Sequence, residues 1–442
     1  MSTPFPHSDH FDGKHFFTPG APRMAGFRDV LKWWFRKTPA PASKAAWPKW
    51  IEIPPRALPP PLPLPSLPTP RLADAPREGA IVATWINHST FLLQSAAANI
   101  LFDPVFTRCC GPFGKIGAPR VHAPGLALDA LPRIDIVCLS HDHYDHCDLQ
   151  SLRKIVRRER GRDTRHPLIG VTPLGNGALL RRAGFARENI IELDWWETRE
   201  LAGSSGRLSG MGDSPMSLES GTGDSPVGLE SGMGDSPMSL EGLEGLENLA
   251  TLPRRHTGES PVPLNPLEPL RITLTPAQHW SNRLTGGRNR RLWGGFFITF
   301  PAGPTAPALA TPAIPSASSD PSVSSVPSPR AVYFAGDTGY HETFFRDIAA
   351  RLGAPDLAML PIGAYEPRWF MRPQHCNPAE AVRIHLDLRA RQSVAMHWGA
   401  FRLTDEPRDE PPRALAQALR EANLPPEVFK VLEPGESLAI AD

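Results

Sequence analysis

Six consecutive residues of this sequence are dense in metal-binding side chains. They read His141-Asp142-His143-Tyr144-Asp145-His146. Imidazole nitrogens and carboxylate oxygens are ligands that borderline cations such as zinc accept, and a hydrolytic site leaves one position on the metal open for water. The histidines and Asp145 are too close in sequence to serve one tetrahedral ion comfortably. The segment therefore predicts a loop that supplies ligands to two adjacent ions.

Three more metal-capable residues follow predicted strands far along the chain. His279 comes after the apolar run 270–274, Asp337 follows 332–336, and His397 follows 394–396. Folds of the α/β class assemble a site from polar groups at the ends of successive buried strands. A structural role would be the better interpretation for each of the three alone. Together with the hexapeptide they form a candidate site.

The elements that must position these residues alternate between strand and helix. Short apolar runs predict strands at 81–86, 90–94, 99–104, 134–140, 168–171, 190–194, 270–274, 294–300, 331–334, 356–361, 393–396 and 438–440, and the hexapeptide directly follows the run 134–140. Helical spacing covers 149–158, 176–183, 342–351, 378–389 and 411–423. This alternation predicts an α/β fold.

The seven residues resemble, in type and order, the ligands of the metallo-β-lactamase superfamily. That resemblance implies an αββα sandwich with a dinuclear site and two Zn²⁺ per chain. One ion would be bound by His141, His143 and His279. The other would be bound by Asp145, His146 and His397, with Asp337 bridging the two.

Further blocks resemble N-acylphosphatidylethanolamine-hydrolysing phospholipase D and its bacterial relatives. The blocks are Asp9–Lys14, Thr275–Trp280, Phe334–Tyr340, Ile362–Met371, Gln374-His375 and Met396–Gly399. The resemblance implies a zinc-dependent phosphodiesterase that hydrolyses N-acylphosphatidylethanolamine-like lipids to N-acylethanolamine and phosphatidic acid. The attacking group would be a hydroxide that bridges the metals, with Asp145 and Asp337 as catalytic residues.

Five other residues are candidates for supporting roles. Tyr144, Gln374 and His375 could contact the phosphate or assist departure of the leaving group, although plain packing is as good an interpretation of Tyr144. Asp103 and His88 each lie just beyond an early strand, where they could orient ligand imidazoles. A histidine hydrogen-bonded inside the fold is an equal alternative for His88.

One further motif has a structural interpretation. Tyr365, Glu366 and Arg368 are better interpreted as a turn with a buried ion pair than as catalytic groups, because no spacing rule marks them as catalytic.

The chain divides into an arm, a strap and a catalytic body. Residues 1–53 form a basic, Trp-rich arm, residues 54–79 a proline-rich strap, and residues 80–442 the catalytic domain. Three copies of an eleven-residue unit, each with at least two glycines and a proline, lie within 203–268, and a Pro/Ala/Ser-rich tract spans 303–329. Such composition predicts disordered insertions.

Composition limits the partners and the location. Lys plus Arg and Asp plus Glu number 47 and 46, so net charge gives no reason to expect nucleic-acid binding. Five cysteines without a C-x-x-C spacing argue against a disulfide framework. No stretch predicts a signal peptide or a spanning helix. The expected location is cytoplasmic.

Residues 27–37 predict an amphipathic helix with Phe27, Val30, Leu31, Trp34 and Phe35 on one arc. Two roles remain open: packing on the protein's own body, or contact with the membrane's inner face.

Two other functions compete with the phospholipase. One is a lactonase of sugar phosphates, or another hydrolase of a soluble substrate in the same superfamily. The other is a metal-stabilised scaffold that no longer catalyses, which retention of all seven residues disfavours. The family resemblance also suggests a homodimer.

Overall fold

The structure is a computed structural model. It describes residue 5 and residues 8–22, 26–35, 47–54, 56, 58, 80–161, 167–201, 269–284, 287–301 and 329–440. The predicted insertion 203–268, nearly all of 303–329 and most of the predicted strap lie outside the described residues. The proposed domain boundaries therefore stay predictions.

Sixteen strands and seven α-helices make up the described part. The strands are β1 (Ile81–Asn87), β2 (Thr90–Gln94), β3 (Asn99–Phe102), β4 (Cys109–Cys110), β5 (Ala118–Pro119), β6 (Ile136–Cys138), β7 (Ile169–Pro173), β8 (Ile190–Leu193), β9 (Thr198–Leu201), β10 (Leu270–Thr275), β11 (Gly295–Phe300), β12 (Arg330–Phe334), β13 (Leu357–Pro361), β14 (Gln392–Met396), β15 (Phe429–Lys430) and β16 (Ser437–Ile440). The helices are α1 (Phe27–Trp34), α2 (Leu149–Arg160), α3 (Gly177–Ala183), α4 (Phe344–Leu352), α5 (Arg368–Met371), α6 (Pro378–Asp387) and α7 (Glu410–Glu421).

Fourteen of the strands form two mixed sheets with the same pattern of pairing. The first has the order β16-β1-β2-β3-β6-β7-β8 and the second β15-β14-β13-β12-β11-β10-β9. In each sheet three consecutive pairs are antiparallel and three are parallel. Strands β4 and β5 form a separate small hairpin.

The two sheets pack face to face through a large apolar core. Phe102 of β3 stacks on Phe334 of β12 with ring centroids 4.6 Å apart. Because side chains alternate along a strand, the residue beside Phe102 points the other way. Leu101 packs in a second cluster with Leu152 and Ile155 of α2. Helices thus cover the outer face of the first sheet.

Helix α2 begins at Leu149, shortly after the hexapeptide, and its N-cap residue Asp148 marks the end of the loop. The side chain of Asp148 accepts a hydrogen bond from the backbone N–H of Gln150 at 3.0 Å. An aspartate at this position satisfies an otherwise unpaired N–H of the first turn. The same carboxylate accepts a bond from the Ser151 hydroxyl.

The predicted α/β sandwich is confirmed, and most predicted elements lie within two or three residues of their observed bounds. Strand β9, the two-residue strands β4, β5 and β15, and the one-turn helix α5 were not predicted. These elements are short, and so few residues do not show a hydrophobic period in the sequence. The predicted helix over 27–37 ends at Trp34, and residues 36–46 lie outside the described part.

The first described residues of the chain pack against the body. Phe11 and Phe16 are buried in the core between the sheets. The N–H of Phe16 donates to the carbonyl of Asn289 at 2.8 Å. The His10 imidazole contacts carboxylate oxygens of Asp9 at 2.6 Å and Asp194 at 2.7 Å. The motif at 9–14 is therefore part of the folded body.

The state of the cysteines and the length of the helices bear on the predictions about disulfides and membrane-spanning segments. All five cysteines are free thiols. Across the described ranges, no helix has both the length and the apolar character needed to cross a membrane.

Candidate metal centre

The seven candidate ligands come from loops that follow strand ends in both sheets. The hexapeptide follows β6, and His279 lies four residues after β10. Asp337 follows β12 and His397 follows β14, two strands of the same parallel stretch of the second sheet. Because parallel strands end at the same edge, these two side chains reach the same place. The structure brings all seven residues together.

His141, His143 and His279 form a group that we term the first cluster. His143 Nδ1 lies 3.0 Å from His141 Nε2 and 3.2 Å from His279 Nε2. Nitrogen ligands at ~2.0–2.1 Å from a tetrahedral zinc ion would stand roughly 3.3 Å from one another. The spacing of the three nitrogens therefore fits a shared cation.

Asp145, His146 and His397 form the second cluster. Asp145 Oδ2 lies 3.4 Å from His397 Nε2 and 3.7 Å from His146 Nε2. Both imidazoles are buried, whereas the Asp145 side chain is partly exposed. This group offers two nitrogens and one oxygen, which is a donor set that zinc accepts.

The Asp337 carboxylate lies between the two clusters. Its Oδ2 atom is 3.2 Å from His146 Nε2, 3.7 Å from His279 Nε2 and 3.8 Å from His141 Nε2. Its Oδ1 atom is 3.1 Å from His397 Nε2. One carboxylate thus faces nitrogens of both clusters.

Several atoms of the centre are buried without a hydrogen-bond partner of acceptable geometry among the described residues. They are His143 Nε2, His146 Nε2, His397 Nε2 and Asp337 Oδ1. Leaving a buried polar atom unpaired costs free energy comparable to its desolvation. A bound cation would satisfy the atoms that face the interior of the centre. The residues present therefore fit a metal site.

Burial keeps the first cluster in the protonation state that binds metal. Desolvation lowers the pKa of His143 to about 4 and that of His279 to about 3, although the Asp337 carboxylate opposes both shifts. Desolvation also lowers the pKa of His141, and the neighbouring imidazoles add to this effect. All three imidazoles are therefore neutral at pH 7, as a metal ligand must be.

The second cluster has the opposite electrostatic character. Burial lowers the pKa of His397, but the Asp337 and Asp145 carboxylates raise it to about 9 overall. Burial alone would raise the pKa of Asp145, yet His146 and His397 hold it well below its usual range. The two carboxylates thus favour positive charge at this position, which a divalent cation would supply in place of protons.

Two contacts fix the orientation of candidate ligand imidazoles. Asp103 Oδ2 lies 2.7 Å from His146 Nδ1, and the same carboxylate accepts bonds from the hydroxyl and N–H of Ser140 at 2.6 and 2.8 Å. His279 Nδ1 lies 2.9 Å from the backbone carbonyl of Gln374. In each case the second ring nitrogen is directed at the clusters. Such partners set the tautomer and the ring orientation.

His88 directly contacts a candidate ligand of the second cluster. Its Nε2 atom is 3.1 Å from Asp145 Oδ2, and its carbonyl accepts the N–H of His397 at 3.0 Å. With Asp145, His146 and His397 it forms a group whose donor atoms all lie within 4.8 Å of one another. His88 has φ 45° and His397 has φ 60°, a region that non-glycine residues rarely occupy.

Two arginines that no sequence motif marks as functional hold the hexapeptide in place. Arg283 Nη1 donates to the carbonyl oxygens of Asp142 at 2.7 Å and Cys147 at 2.9 Å. Arg291 Nη1 donates to the buried Asp142 carboxylate at 2.9 Å. Asp142 therefore anchors the loop. No local pattern predicts these contacts, because the arginines lie about 140 residues further along the chain.

The three residues predicted to contact substrate have different surroundings. His375 is buried, with Nε2 3.9 Å from Asp337 Oδ2, and forms a third group with Asp337 and His397. The Gln374 amide donates to Met371 Sδ at 3.5 Å, so its contact with the centre is made by its backbone. Tyr144 is half-buried, with the Arg283 guanidinium 4.0 Å from its ring centroid.

The predicted turn at Tyr365, Glu366 and Arg368 is present, but its ion pair has another partner. Arg368 Nη2 lies 2.7 Å from Glu380 Oε2, whereas Glu366 Oε2 accepts the backbone N–H of Arg368 and, within the described ranges, forms no ion pair with its guanidinium. Arg368 Nη1 also donates to the carbonyl of His375 at 2.9 Å. The expectation of a Glu366–Arg368 ion pair was wrong, because α6 brings Glu380 to the guanidinium.

Comparison with known proteins identifies the family. A model of the beta-lactamase superfamily domain matches residues 98–215 and 321–398. An uncharacterized protein of Mycobacterium tuberculosis is 31% identical over 362 residues, covering 81% of this chain and 68% of that protein. A Caenorhabditis elegans N-acyl-phosphatidylethanolamine-hydrolyzing phospholipase D is 27% identical over 346 residues, covering 76% and 70%.

A protein of Nitratidesulfovibrio vulgaris named as a metal-dependent hydrolase is 24% identical over 361 residues, which cover 81% of this chain and 94% of that protein. The family match agrees with the two-sheet architecture and with the clustered histidines and aspartates. The chain belongs to the metallo-β-lactamase superfamily and is a hydrolase of that family.

Proposed function

We propose that this protein is a zinc-dependent phosphodiesterase of phospholipase D type that hydrolyses N-acylphosphatidylethanolamine-like lipids. The products are an N-acylethanolamine and a phosphatidic acid. The observation that carries the proposal is the convergence of the other six candidate ligands around Asp337. Similarity to the Caenorhabditis elegans phospholipase D over 76% of the chain supports the substrate class.

Two metal ions would be held at this centre in the proposal. His141, His143 and His279 would hold one ion, and Asp145, His146 and His397 would hold the other. The position of Asp337 between the clusters supports its serving as a ligand for either ion. Bound zinc ions would act as Lewis acids that lower the pKa of water and stabilise charge on the attacking and leaving oxygens of the phosphodiester.

The protein's own residues hold the centre in place for this chemistry. Asp103 and the Gln374 carbonyl fix the rings of His146 and His279. Arg283 and Arg291 hold the hexapeptide. Rigid support of this kind keeps reacting groups within the small tolerances that catalysis requires.

His375 is the best placed of the three predicted substrate contacts. It lies against Asp337 and His397, and its Nδ1 atom has no hydrogen-bond partner in the described ranges. Burial lowers its pKa well below the usual value, so the imidazole is neutral at pH 7. A neutral imidazole can still donate one hydrogen bond to a phosphate oxygen. Tyr144 and Gln374 have a weaker claim.

The site is tested with purified protein, zinc and N-acylphosphatidylethanolamine in mixed micelles. Wild-type protein should release N-acylethanolamine, and Asp337→Asn should lower the rate by at least about a hundredfold, because one carboxylate oxygen is lost between the clusters. Asp129→Asn, a change at an exposed position, is the matched control. Intact lipid after prolonged incubation with fully metallated protein would rule out this substrate.

The same assay distinguishes the alternatives. A lactonase would open a sugar lactone and leave the lipid intact, and a scaffold would do neither. Metal analysis of the same sample is expected to find two zinc ions per chain in the wild type and fewer in Asp337→Asn. Addition of a chelator should lower the temperature of unfolding of the wild type, because a ligand that binds only the folded state stabilises it.

Peripheral contact with a membrane through residues 27–37 is part of the proposal. Trp33 of α1 packs on Phe370 with ring centroids 5.2 Å apart, and its indole N–H donates to the Asp405 carboxylate at 2.9 Å. Phe35, just beyond the helix, has 77% of its surface exposed, and Lys32 lies over the half-exposed Trp369. One side of α1 thus docks on the body while aromatic and basic groups remain at the surface.

This contact is tested by flotation with anionic phospholipid vesicles. Phe35→Ser should reduce the bound fraction, because an exposed aromatic side chain gains free energy on entering the membrane interface. Phe17→Ser, at another exposed phenylalanine, is the control. Equal binding by both variants and the wild type would rule out this surface. The homodimer and the cytoplasmic location stay predictions.

A further inference from the structure

The indole of Trp280 and the guanidinium of Arg288 are stacked beside the first cluster and have no role in the function proposed above. Arg288 Cζ lies 4.8 Å from the centroid of the Trp280 ring. The Trp280 ring meets the His143 imidazole edge-on, with centroids 4.8 Å apart. Arg288 therefore lies one indole ring away from a candidate metal ligand.

Arg288 carries a charge that no acidic group of the described residues balances. Both Arg288 and Trp280 are half-buried. Burial lowers the pKa of Arg288, and no acidic side chain in the described ranges opposes the shift. Unlike Arg291 with Asp142, the Arg288 guanidinium makes neither a hydrogen bond nor an ion pair with any described residue. Because desolvating an unpaired cation is costly, an anionic ligand at this position would be stabilising.

The stacked arrangement suits an oxyanion in particular. A guanidinium that lies against an aromatic ring keeps its N–H donors free at its edge, where they can bind phosphate in bidentate fashion. The rim is open here, since His143 is half-buried whereas His141 and His279 are each only 1% exposed. A group bound by Arg288 would thus lie at the entrance to the centre.

We propose that Trp280 and Arg288 form a second anion-binding position at this rim, which binds a phosphate oxyanion other than the phosphodiester being cleaved. This inference deepens the proposed function and rests on it for the lipid substrate. The phosphate group belongs either to a neighbouring phospholipid headgroup or to free inorganic phosphate. The same donors bind both.

Calorimetric titration of zinc-loaded protein with inorganic phosphate tests the position directly. The wild type is expected to show two classes of site, one at the metals and one at Arg288. The second class should be lost in Arg288→Ala and retained in Arg290→Ala, which removes an exposed arginine two residues away. Trp280→Phe, which keeps an aromatic surface, should retain it. Two unchanged classes in Arg288→Ala would overturn the proposal.

A kinetic measurement distinguishes the two sources of phosphate. If the position binds a neighbouring headgroup, phosphatidylglycerol in neutral micelles should lower the wild-type KM severalfold at constant kcat and leave the KM of Arg288→Ala unchanged. If KM does not respond although the titration shows the second class, the position binds free phosphate. The titration requires no hydrolysis. If the protein shows the Arg288-dependent class of phosphate site but does not cleave the lipid, the proposed function is contradicted and this inference still holds.

Discussion

The carboxylate of Asp103 lies 2.7 Å from Nδ1 of His146, and both side chains are fully buried. The contact joins two residues that are 43 positions apart in the chain. It leaves the other ring nitrogen, His146 Nε2, directed at the Asp337 carboxylate of the candidate metal centre. The orientation of one imidazole therefore depends on a group outside the candidate ligands.

Asp103→Asn should weaken metal binding without removing any proposed ligand. An amide is a poorer acceptor for the His146 ring N–H, and loss of such a partner typically costs about 10- to 100-fold in metal affinity. Asparagine tolerates the φ of 39° at this position, so the backbone should be unaffected. Competition with a chelator measures the affinity. Asp129→Asn, at an exposed position, is the control. If Asp103→Asn binds zinc as tightly as the wild type and this control do, the orienting role of Asp103 is contradicted.

Substitutions at His88 should show whether it binds metal or donates a hydrogen bond to Asp145. His88→Ala removes both functions and should reduce zinc occupancy at the second cluster. His88→Gln places an amide N–H near the position of Nε2, so it should restore occupancy if the 3.1 Å contact with Asp145 is a hydrogen bond. A zinc count per chain decides the question. Full occupancy in His88→Ala would exclude both roles.

Arg291→Met should lower the stability of the folded protein. It leaves the Asp142 carboxylate, which is 0% exposed, without its charged partner. Breaking a buried pair costs roughly 3–5 kcal/mol, which corresponds to a fall of about 5–15 °C in the midpoint of thermal unfolding. Arg290→Met, at the exposed neighbouring position, should leave the midpoint nearly unchanged. Equal midpoints in the two variants would mean that the pair is not stabilising.

The contact of His10 with Asp9 and Asp194 predicts a stability that depends on pH. Burial lowers the pKa of His10, but the hydrogen bonds with Asp194 and Asp9 raise it above the ordinary 6.5 overall. A raised pKa in the folded state stabilises the protein below the unfolded pKa, and this contribution is lost as pH rises through the folded pKa. The unfolding midpoint of the wild type should therefore exceed that of His10→Gln by more at pH 6 than at pH 9.

The partly exposed His15 supplies the control for this measurement. His15→Gln removes a histidine five residues away whose side chain is 39% exposed. Its midpoint should follow the wild type at every pH. A constant difference between wild type and His10→Gln across the pH range would show that protonation of His10 contributes nothing.

The amino-acid sequence by itself determined the chemical character of this protein. The types and order of the seven candidate ligands are legible along the chain, and short apolar runs predicted the strands that carry them. Both signals are local, because each apolar run spans only a few residues and the ligand loop occupies six. Local patterns were thus enough to predict an α/β fold, while the sandwich and the family were implied by the resemblance of the ligands and sequence blocks.

Only the tertiary structure decided which groups surround those ligands. Three contacts leave no periodic pattern in the sequence. They are the approach of His88 to Asp145, the hydrogen bonds of Arg283 and Arg291 to Asp142, and the stacking of Arg288 on Trp280. Most of these partners are separated by dozens to more than a hundred residues, and they meet because loops from two sheets converge at one edge. Long-range proximity of this kind follows from packing of the whole core, which no local pattern encodes.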